Sequence, residues 1–478
     1  MRRYPRIGPT PPASTTGGGA NGRAPHPGDA AVMQIHMPDG SVIHGIPTEV
    51  ASTNSGAGSV VRPVVDRTNL LAGMVPTDSQ HRAFDAVERL HKLPRCGGVQ
   101  LVGYAGTGKT TLIRAFGKLY GDPRVVTPTG KAALRVEEAT GLHASTFHRW
   151  MYMPEVDPAT GVPKFVLKRS EALSLPRCGL VILDEASMLD PSAWADMWRT
   201  CQKLGLKIIL VGDGFQLPPV TKGNEPFSTM TKGFAEKYGF ERVEMVDIVR
   251  QALESPIVRA ATALRQGDRS GLSHLWQPTK GFWQCAYDTL CAGGVVISHS
   301  NVTRHAINNG LKQPQLAPGE PLLVLRNDYD MDVYNGQQLR FEGWQGFSGK
   351  SVVIDTWRGT QAHVNFATAK VDGLEVILCP EQIAGTLDAS EHCVADSVRQ
   401  FAKDNNLRSK YKAEGMMPIL HANYGYCYTA HKAQGSEWPY ALVVIEPTVR
   451  LNEEDGLRWA YTAITRASKA AAVWWGRP

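Results

Sequence analysis

Gly103-Tyr-Ala-Gly-Thr-Gly108-Lys109-Thr110 is the stretch from which the rest of the chain can be read. It fits G-x-x-x-x-G-K-[ST], follows the apolar run Val99–Val102 and opens a helical stretch, Thr110–Tyr120. The chemistry needs that context. Glycines let backbone N–H groups turn toward a β-phosphate, and the helix N-terminus adds positive potential. Gly103, Gly106, Thr107, Gly108 and Thr111 are therefore candidates for the phosphate cradle. Lys109 would reach the β- and γ-phosphates, and the Thr110 hydroxyl would bind Mg²⁺.

Two further strand ends bear on the same site. Leu183-Asp184-Glu185-Ala186-Ser187 places paired carboxylates after an apolar run, 75 residues beyond Lys109. In an ATPase, Asp184 would hold the Mg²⁺ shell and Glu185 would orient and deprotonate the attacking water. Val211-Gly212-Asp213-Gly-Phe-Gln216-Leu217-Pro218-Pro219 ends a third run in a polar amide that can sense a γ-phosphate. Read alone, each of these is an ordinary strand exit or a Pro-rich loop.

Outward from this core, short apolar runs alternate with helical stretches. Candidate strands are Val99–Val102, Val125–Thr127, Leu180–Leu183, Ile208–Val211, Val295–Ser298, Leu442–Ile445 and Ala472–Trp475. This is the βαβ rhythm of a parallel sheet covered on both faces. Residues 321–380 break it. Leu322–Leu325, Val352–Trp357, Ala362–Phe366 and Leu374–Leu378 are separated by Asn335-Gly336, Gly349 and Asp372-Gly373, which are hairpin signals. A charged helical stretch, Ser390–Glu414, follows. Upstream, Met33–Ile46 alternates around Pro38-Asp39-Gly40 and predicts a small hairpin.

Composition narrows the class. A length of 478 residues gives a prior of about three structural units. Lys and Arg number 51 against 45 Asp and Glu, a net +6 that permits a polyanionic partner without demanding one. Eight cysteines without a C-x-x-C pair argue for reduced thiols rather than a disulfide scaffold or zinc site. No apolar run approaches the roughly 18 residues of a membrane span. Residues 1–30 hold six Pro and six Gly and cannot bury enough apolar surface to order themselves, so a disordered tail is expected.

Gly-Asp-x-x-Gln-Leu-Pro-Pro after Asp-Glu-Ala-Ser resembles motif III of RecD-like, superfamily 1B helicases, a group that includes the phage Dda-like enzymes. Other motifs of that family appear in order. Thr77-Asp-Ser-Gln80 resembles its adenine-reading segment, Thr127-Pro-Thr-Gly-Lys131 its motif Ia, and Ser145-Thr146-Phe147-His148 its motif Ib. Val249-Arg250-Gln251 resembles motif IV, Thr429-Ala-His431-Lys432-Ala-Gln434-Gly435-Ser436-Glu437 motif V, and Tyr461-Thr462-Ala-Ile-Thr465-Arg466 motif VI. The resemblance covers about residues 76–475.

It implies an α/β fold of two RecA-like P-loop NTPase domains, with a short hairpin insert in the first and a small SH3-like β insert in the second. The expected layout is a tail and linker at 1–75 and a first domain at 76–228, with its hairpin at about 151–170. The second domain would be split between 229–320 and 415–478, around a β insert and helical segment at 321–414. By resemblance, Gln80 reads adenine, Gln216 couples the γ-phosphate to the nucleic-acid site, and Glu437 contacts ribose. Arg250 and Arg466 come from the second domain to the γ-phosphate, where a fork of donors stabilises phosphoryl oxygens once the cleft closes. Thr127, Thr129, Lys131, Thr146, Phe147, His148, Thr429, His431 and Lys432 are the candidate DNA contacts.

The implied activity is an ATP- and Mg²⁺-dependent DNA helicase moving 5′→3′ in a bacterial or phage-infected cytoplasm, acting as a monomer. Implied partners are single-stranded DNA and its junctions with duplex, with a single-strand-binding protein or replisome component as a further candidate. The hairpin Tyr152–Arg169 would be the duplex-splitting pin, but Asp157 to Val162 at its tip lack an aromatic wedge. A DNA-stimulated translocase that strips proteins without efficient unwinding therefore stays open, as does a superfamily 1B RNA helicase.

Four arginines against one aspartate in residues 1–30 carry +3 of the chain's +6, leaving the motor body close to balanced. Grip on nucleic acid must then come from local placement of cations. Deleting residues 1–30 is expected to weaken DNA binding mainly at low salt and to leave ATP turnover at saturating DNA intact. A salt titration of binding beside an ATPase assay checks both.

Overall fold

The computed structural model describes residues 33–36, 42–45, 66–156, 163–169, 173, 179–219, 227–248, 254–313, 315–325, 328, 331, 333–347, 352–355, 361–384 and 417–478. Two units are distinguished, Met1–Asn69 and Leu70–Pro478. The first holds the antiparallel hairpin β1 (Met33–His36) and β2 (Val42–Gly45), in register Met33 to Gly45. The expected tail at 1–30 lies outside the described residues.

The second unit opens with α1 (Asp78–Lys92), started by a capping box in which the Thr77 hydroxyl accepts from the Gln80 N–H and the Gln80 side chain accepts from the Thr77 N–H. Then come β3 (Gly98–Gly103), α2 (Lys109–Tyr120), β4 (Arg124–Thr127), α3 (Gly130–Thr140), β5 (Ala144–Thr146) and α4 (Phe147–Met151). A hairpin of β6 (Tyr152–Val156) and β7 (Pro163–Leu167) follows. β8 (Leu180–Leu183), α5 (Pro191–Leu204), β9 (Lys207–Gly212), α6 (Lys232–Tyr238) and β10 (Glu241–Met245) complete a six-stranded sheet in the order β10-β3-β9-β8-β4-β5. Every pair in it is parallel. The central strands β3 and β8 are buried at every position, as a sheet covered on both faces requires. Phe84, Leu101 and Phe116 pack on one face, and Phe147, Leu183 and Trp194 on the other.

A second parallel sheet is built from β11 (Val295–Ser298), β19 (Cys427–Thr429), β20 (Trp438–Ile445) and β21 (Ala467–Trp475), in the order β19-β11-β20-β21. Its helices are α7 (Pro256–Arg265), α8 (Phe282–Cys291), α9 (Asn301–Leu311), α11 (Ala430–Ala433) and α12 (Glu454–Ile464). Between its halves lies a five-stranded antiparallel sheet. Its strands are β12 (Pro321–Val324), β13 (Gln338–Phe347), β16 (Ala367–Val371), β17 (Leu374–Leu378) and β18 (Ala422–Tyr424), with β14 (Val352–Asp355) and β15 (Gln361–Val364) as a separate hairpin. The short helix α10 (Pro380–Ala384) follows β17. Asp372-Gly373 turns β16 into β17 with both residues at positive φ, as an Asp-Gly hairpin demands. The helical stretch expected at Ser390–Glu414 lies outside the described residues.

Six strands of these sheets escaped the apolar-run criterion, among them the three-residue β18. β5 and β10 are the edges of their sheet, and β10 carries Glu241, Arg242 and Glu244, with alternating exposure. Edge strands tolerate polar residues that central ones cannot. β19 has only three residues. β13 includes Gly343 and Gly346 and two register shifts against β16, so its apolar alternation is broken. β16 alternates buried Ala367, Ala369 and Val371 with Thr368 and Lys370, a weak apolar signal.

Glu446, directly after β20, ties the second parallel sheet to the start of α9. Its carboxylate is 4% exposed and accepts from the His299 and Ser300 N–H groups (2.8 Å each), the Ser300 hydroxyl (2.9 Å) and the Thr303 hydroxyl (2.7 Å). Burial pushes its pKa up, but these donors outweigh burial and hold it below the ordinary value of 4.5. Such a group stabilises above its unfolded pKa, and the benefit is lost as pH falls through the lowered native value. Glu446→Gln is therefore expected to cost about 1–3 kcal/mol at neutral pH, read as a lower urea midpoint. The difference from wild type should shrink as the pH drops below 4.5.

Candidate nucleotide site and nucleic-acid face

The turn after β3 needs backbone that few residues supply. Gly106 and Gly108 both stand at φ +80°, in the left-handed region. The Lys109 ammonium donates back to the Gly103 and Tyr104 carbonyls (3.0 and 2.9 Å), and the Thr107 hydroxyl to Tyr104 O (2.9 Å). Around this loop runs a cleft of about 420 Å³ that also takes in Thr110, Thr111, Asp184, Glu185 and Gln216 from the side of the first parallel sheet and Glu437 and Arg466 from that of the second.

Glu185 is one of three non-glycine residues at positive φ among the described residues (φ +51°). Strain of that kind persists where the surroundings over-determine it, and functional sites are the usual place. Its Oε2 atom is buried without a hydrogen-bond partner, and so is Oε1 of Gln216. Two orphaned buried acceptors in one cleft require a water or a ligand. Burial, and then the neighbouring Glu185 charge, push the Asp184 carboxyl up to about 6. Arg466 is 4% exposed, and donates to Thr462 O (3.0 Å) and to the Thr465 hydroxyl (3.3 Å). Burial lowers its pKa, and the nearby Glu185 opposes that. Arg250 lies outside the described residues.

Two of the expected nucleotide contacts are placed differently. Gln80 does not line the cleft. Its amide donates to Thr107 O (3.2 Å) and accepts from Thr77, so both ends are engaged by the capping box and by the phosphate loop it braces. Glu437, expected at a ribose, pairs with Arg135 of α3 across the cleft (2.8 Å).

The expected nucleic-acid contacts divide similarly. Phe147 is fully buried among Trp150, Met151 and Leu183 and offers no stacking face, because α4 turns its apolar side into the sheet. The Thr127 hydroxyl donates to Thr129 O (2.7 Å). Thr129, Thr146 and Thr429 accept from Ala132, Arg149 and Lys432 N–H groups as N-caps of α3, α4 and α11. Lys131 sits 4.7 Å from the Trp438 ring centroid and 5.5 Å from that of Tyr428, where burial lowers its pKa to about 8. It faces aromatics of the second parallel sheet rather than an open groove. His148 is half-buried beside Tyr152, its pKa lowered by burial. His431 is exposed and Lys432 partly so.

Sequence reasoning missed Arg135 in the cleft and Arg265 beside it, neither of which has a diagnostic local pattern, and it gave Tyr461 of the motif VI stretch no role of its own. It also missed Arg304 and His305 of α9. Burial first, then Arg304 and Lys432, lower His305 to about 4, which marks a cationic cluster beside motif V. A glycine contact was likewise invisible. A Cβ at Gly130 would meet the Tyr334 ring, from the loop between β12 and β13, at 2.1 Å.

Comparison with known proteins fits this geometry. Residues 78–282 match the AAA domain family, and 424–474 match the UvrD-like helicase C-terminal domain. The ATP-dependent RecD2 DNA helicase of Deinococcus radiodurans is 26% identical over 400 residues, covering 77% of this chain and 46% of that protein. The RecBCD enzyme subunit RecD of Mycobacterium tuberculosis is 26% identical over 468 residues (82% and 69%), and the ATP-dependent DNA helicase dda of phage T4 is 30% identical over 196 (40% and 43%). The chain thus spans less than half the length of the first of these relatives. The fold is that of the Bacteroides Pif1 helicase crystallised with ADP-AlF3 and single-stranded DNA (TM-score 0.50, 18% identity, 84% and 92% covered). In its motifs, matched domain models and sequence relatives the chain resembles the superfamily 1B helicases of the RecD and Dda type, and its fold is that of Pif1.

Proposed function

We propose that the protein is an ATP-dependent DNA helicase that couples ATP hydrolysis to 5′→3′ movement on single-stranded DNA and to duplex separation. The observation that carries this reading is the pair of orphaned buried oxygens, on Glu185 and Gln216, in one cleft with Lys109 and Arg466. ATP is the substrate this donor set suits. The phosphate loop and Lys109 hold its phosphates. Thr110 and Asp184 would hold Mg²⁺, which when bound offsets phosphate charge. Glu185 takes a proton from water as its oxygen bonds to the γ-phosphorus, the bond to the β,γ-bridging oxygen breaks, and ADP leaves with that electron pair. Gln216 senses the γ-phosphate, and Arg466, with Arg250, stabilises charge on the transferred group.

The two parallel sheets act as the RecA-like halves of the motor, so nucleotide-dependent closure becomes motion along the strand. The β6–β7 hairpin acts as the pin, and the antiparallel insert as an SH3-like module beside it. DNA rather than RNA is favoured because two of the relatives named above, RecD2 and dda, are DNA helicases and the Bacteroides Pif1 was crystallised with single-stranded DNA. His431, Lys432 and the N-termini of α3 and α4 face the track. The setting that fits is a cytoplasm where single-stranded DNA and its junctions are exposed. Among the described residues no helix is long and apolar enough to cross a membrane.

Lys109→Ala is expected to abolish DNA-stimulated phosphate release, and Glu185→Gln to cut it by about 10²–10⁴-fold while ATP still binds. Phosphate release and equilibrium nucleotide binding, measured side by side, check both. Duplexes with a single 5′ or 3′ tail test direction and unwinding together. Displacement of the 5′-tailed substrate alone is expected. Displacement of only the 3′-tailed one reverses the polarity, and displacement of neither leaves a translocase.

A further inference from the structure

Asp213, next to the end of β9, is a carboxylate at 1% exposure, and its strongest partners come from the other domain. It accepts from the Phe215 N–H (2.9 Å), from Nη1 of Arg265 at the end of α7, and from the Tyr461 hydroxyl in α12. The Tyr461 oxygen accepts in turn from the Ala105 N–H inside the phosphate loop (3.2 Å). The Arg265 guanidinium lies 3.8 Å from the Tyr104 ring centroid, 5.2 Å from that of Phe215 and 5.4 Å from that of Tyr461. An arginine of the second domain is thus seated in an aromatic box of which two walls belong to the first.

A carboxylate this buried is tolerated only while its charge is met. Arg265 and Tyr461 both ride on the second domain. Moving that domain away strips Asp213 of its cation and its hydroxyl donor and leaves one backbone N–H. Burial of Asp213 and approach of the domains are therefore one event. The loop it anchors is the one that carries Gln216, whose N–H donates to Asp213 O (3.3 Å). The same loop is gripped by Arg458 at Gly214 O (2.8 Å) and by Thr462 and Gln434 at the Leu217 N–H and carbonyl (3.1 and 2.8 Å).

We infer that the Asp213–Arg265 pair, boxed by Tyr104, Phe215 and Tyr461, is a closure latch that sets Gln216 against the terminal phosphate of the bound nucleotide. Asp213 and Arg265 are positioning residues that act through Gln216 and the phosphate loop. The inference rests on the ATPase reading above and adds to it the contact by which second-domain approach is felt at the sensing amide.

The test uses the full chain with Asp213→Asn, Arg265→Gln and the double variant. Thermal melting confirms that each folds. Turnover with saturating single-stranded DNA, affinity for a fluorescent ADP analogue, and hydrogen exchange of residues 213–217 with and without ADP–aluminium fluoride are compared. Each single variant is expected to lose about 100-fold in kcat with ADP affinity changed by no more than about threefold, and the double variant to lose no more than the worse single. Protection of 213–217 by ADP–aluminium fluoride should appear in the wild type and vanish in the variants. Turnover near wild type, parallel loss of kcat and ADP affinity, multiplying losses in the double variant, or unchanged protection would each overturn the latch. Absence of DNA-stimulated turnover in the wild type would instead overturn the helicase reading, and the exchange measurement still decides the latch.

Discussion

All strands of a parallel sheet end at the same edge, and this molecule places its polar chemistry there. Gly103, Asp184 and Asp213 stand at or directly after the C-terminal ends of β3, β8 and β9, neighbours in one sheet. Their chain separation is large, yet adjacent strands in a sheet are only about 5 Å apart. The carboxylates and the phosphate loop are thus brought together by backbone pairing before any side chain is chosen. The second sheet supplies the opposing wall, through residues that follow β19 and precede β21.

That arrangement explains what could be read from the chain and what could not. Strands β3 and β8, buried at every position, and β9, buried beyond Lys207, are apolar runs that lead directly into the phosphate loop, Asp184 and Asp213, so these strands and the candidate residues after them were legible together. Edge strands such as β10 carry charges, and the long β13 is interrupted by glycines, so periodicity fails there. The site shows the same split. Lys109, Glu185, Gln216 and Arg466 belong to motifs whose spacing reflects the sheet. Arg265 ends a helix with no pattern around it, and its importance is visible only when Asp213, 52 residues earlier, is found against it.

Residue type was also a poor guide to direction. The threonines at 129, 146 and 429 are candidate DNA contacts by their places in the stretches that resemble motifs Ia, Ib and V. The structure uses their hydroxyls to cap α3, α4 and α11. These uses are compatible in kind, since a capped helix start still presents further N–H groups outward. For Phe147 they are not compatible, because a ring at 0% exposure cannot also stack on a base. Gln80, expected at the adenine, is held by a local rule. Three residues after a threonine at a helix start, it completes a capping box, and its remaining donor reaches Thr107.

The Tyr334 ring resting on Gly130 has a consequence of its own. Gly130 begins the helix after β4, and Tyr334 belongs to the inserted antiparallel region, so two parts of the chain more than 200 residues apart share one interface whose clearance is a single hydrogen atom. Positions 130 and 334 cannot vary independently. Any natural or engineered exchange of the insert for another must bring a compatible ring, or a smaller group, to that glycine. In modular terms the insert is a fitted part, and a transplanted one would have to be chosen by its match to residue 130 as much as by what it binds.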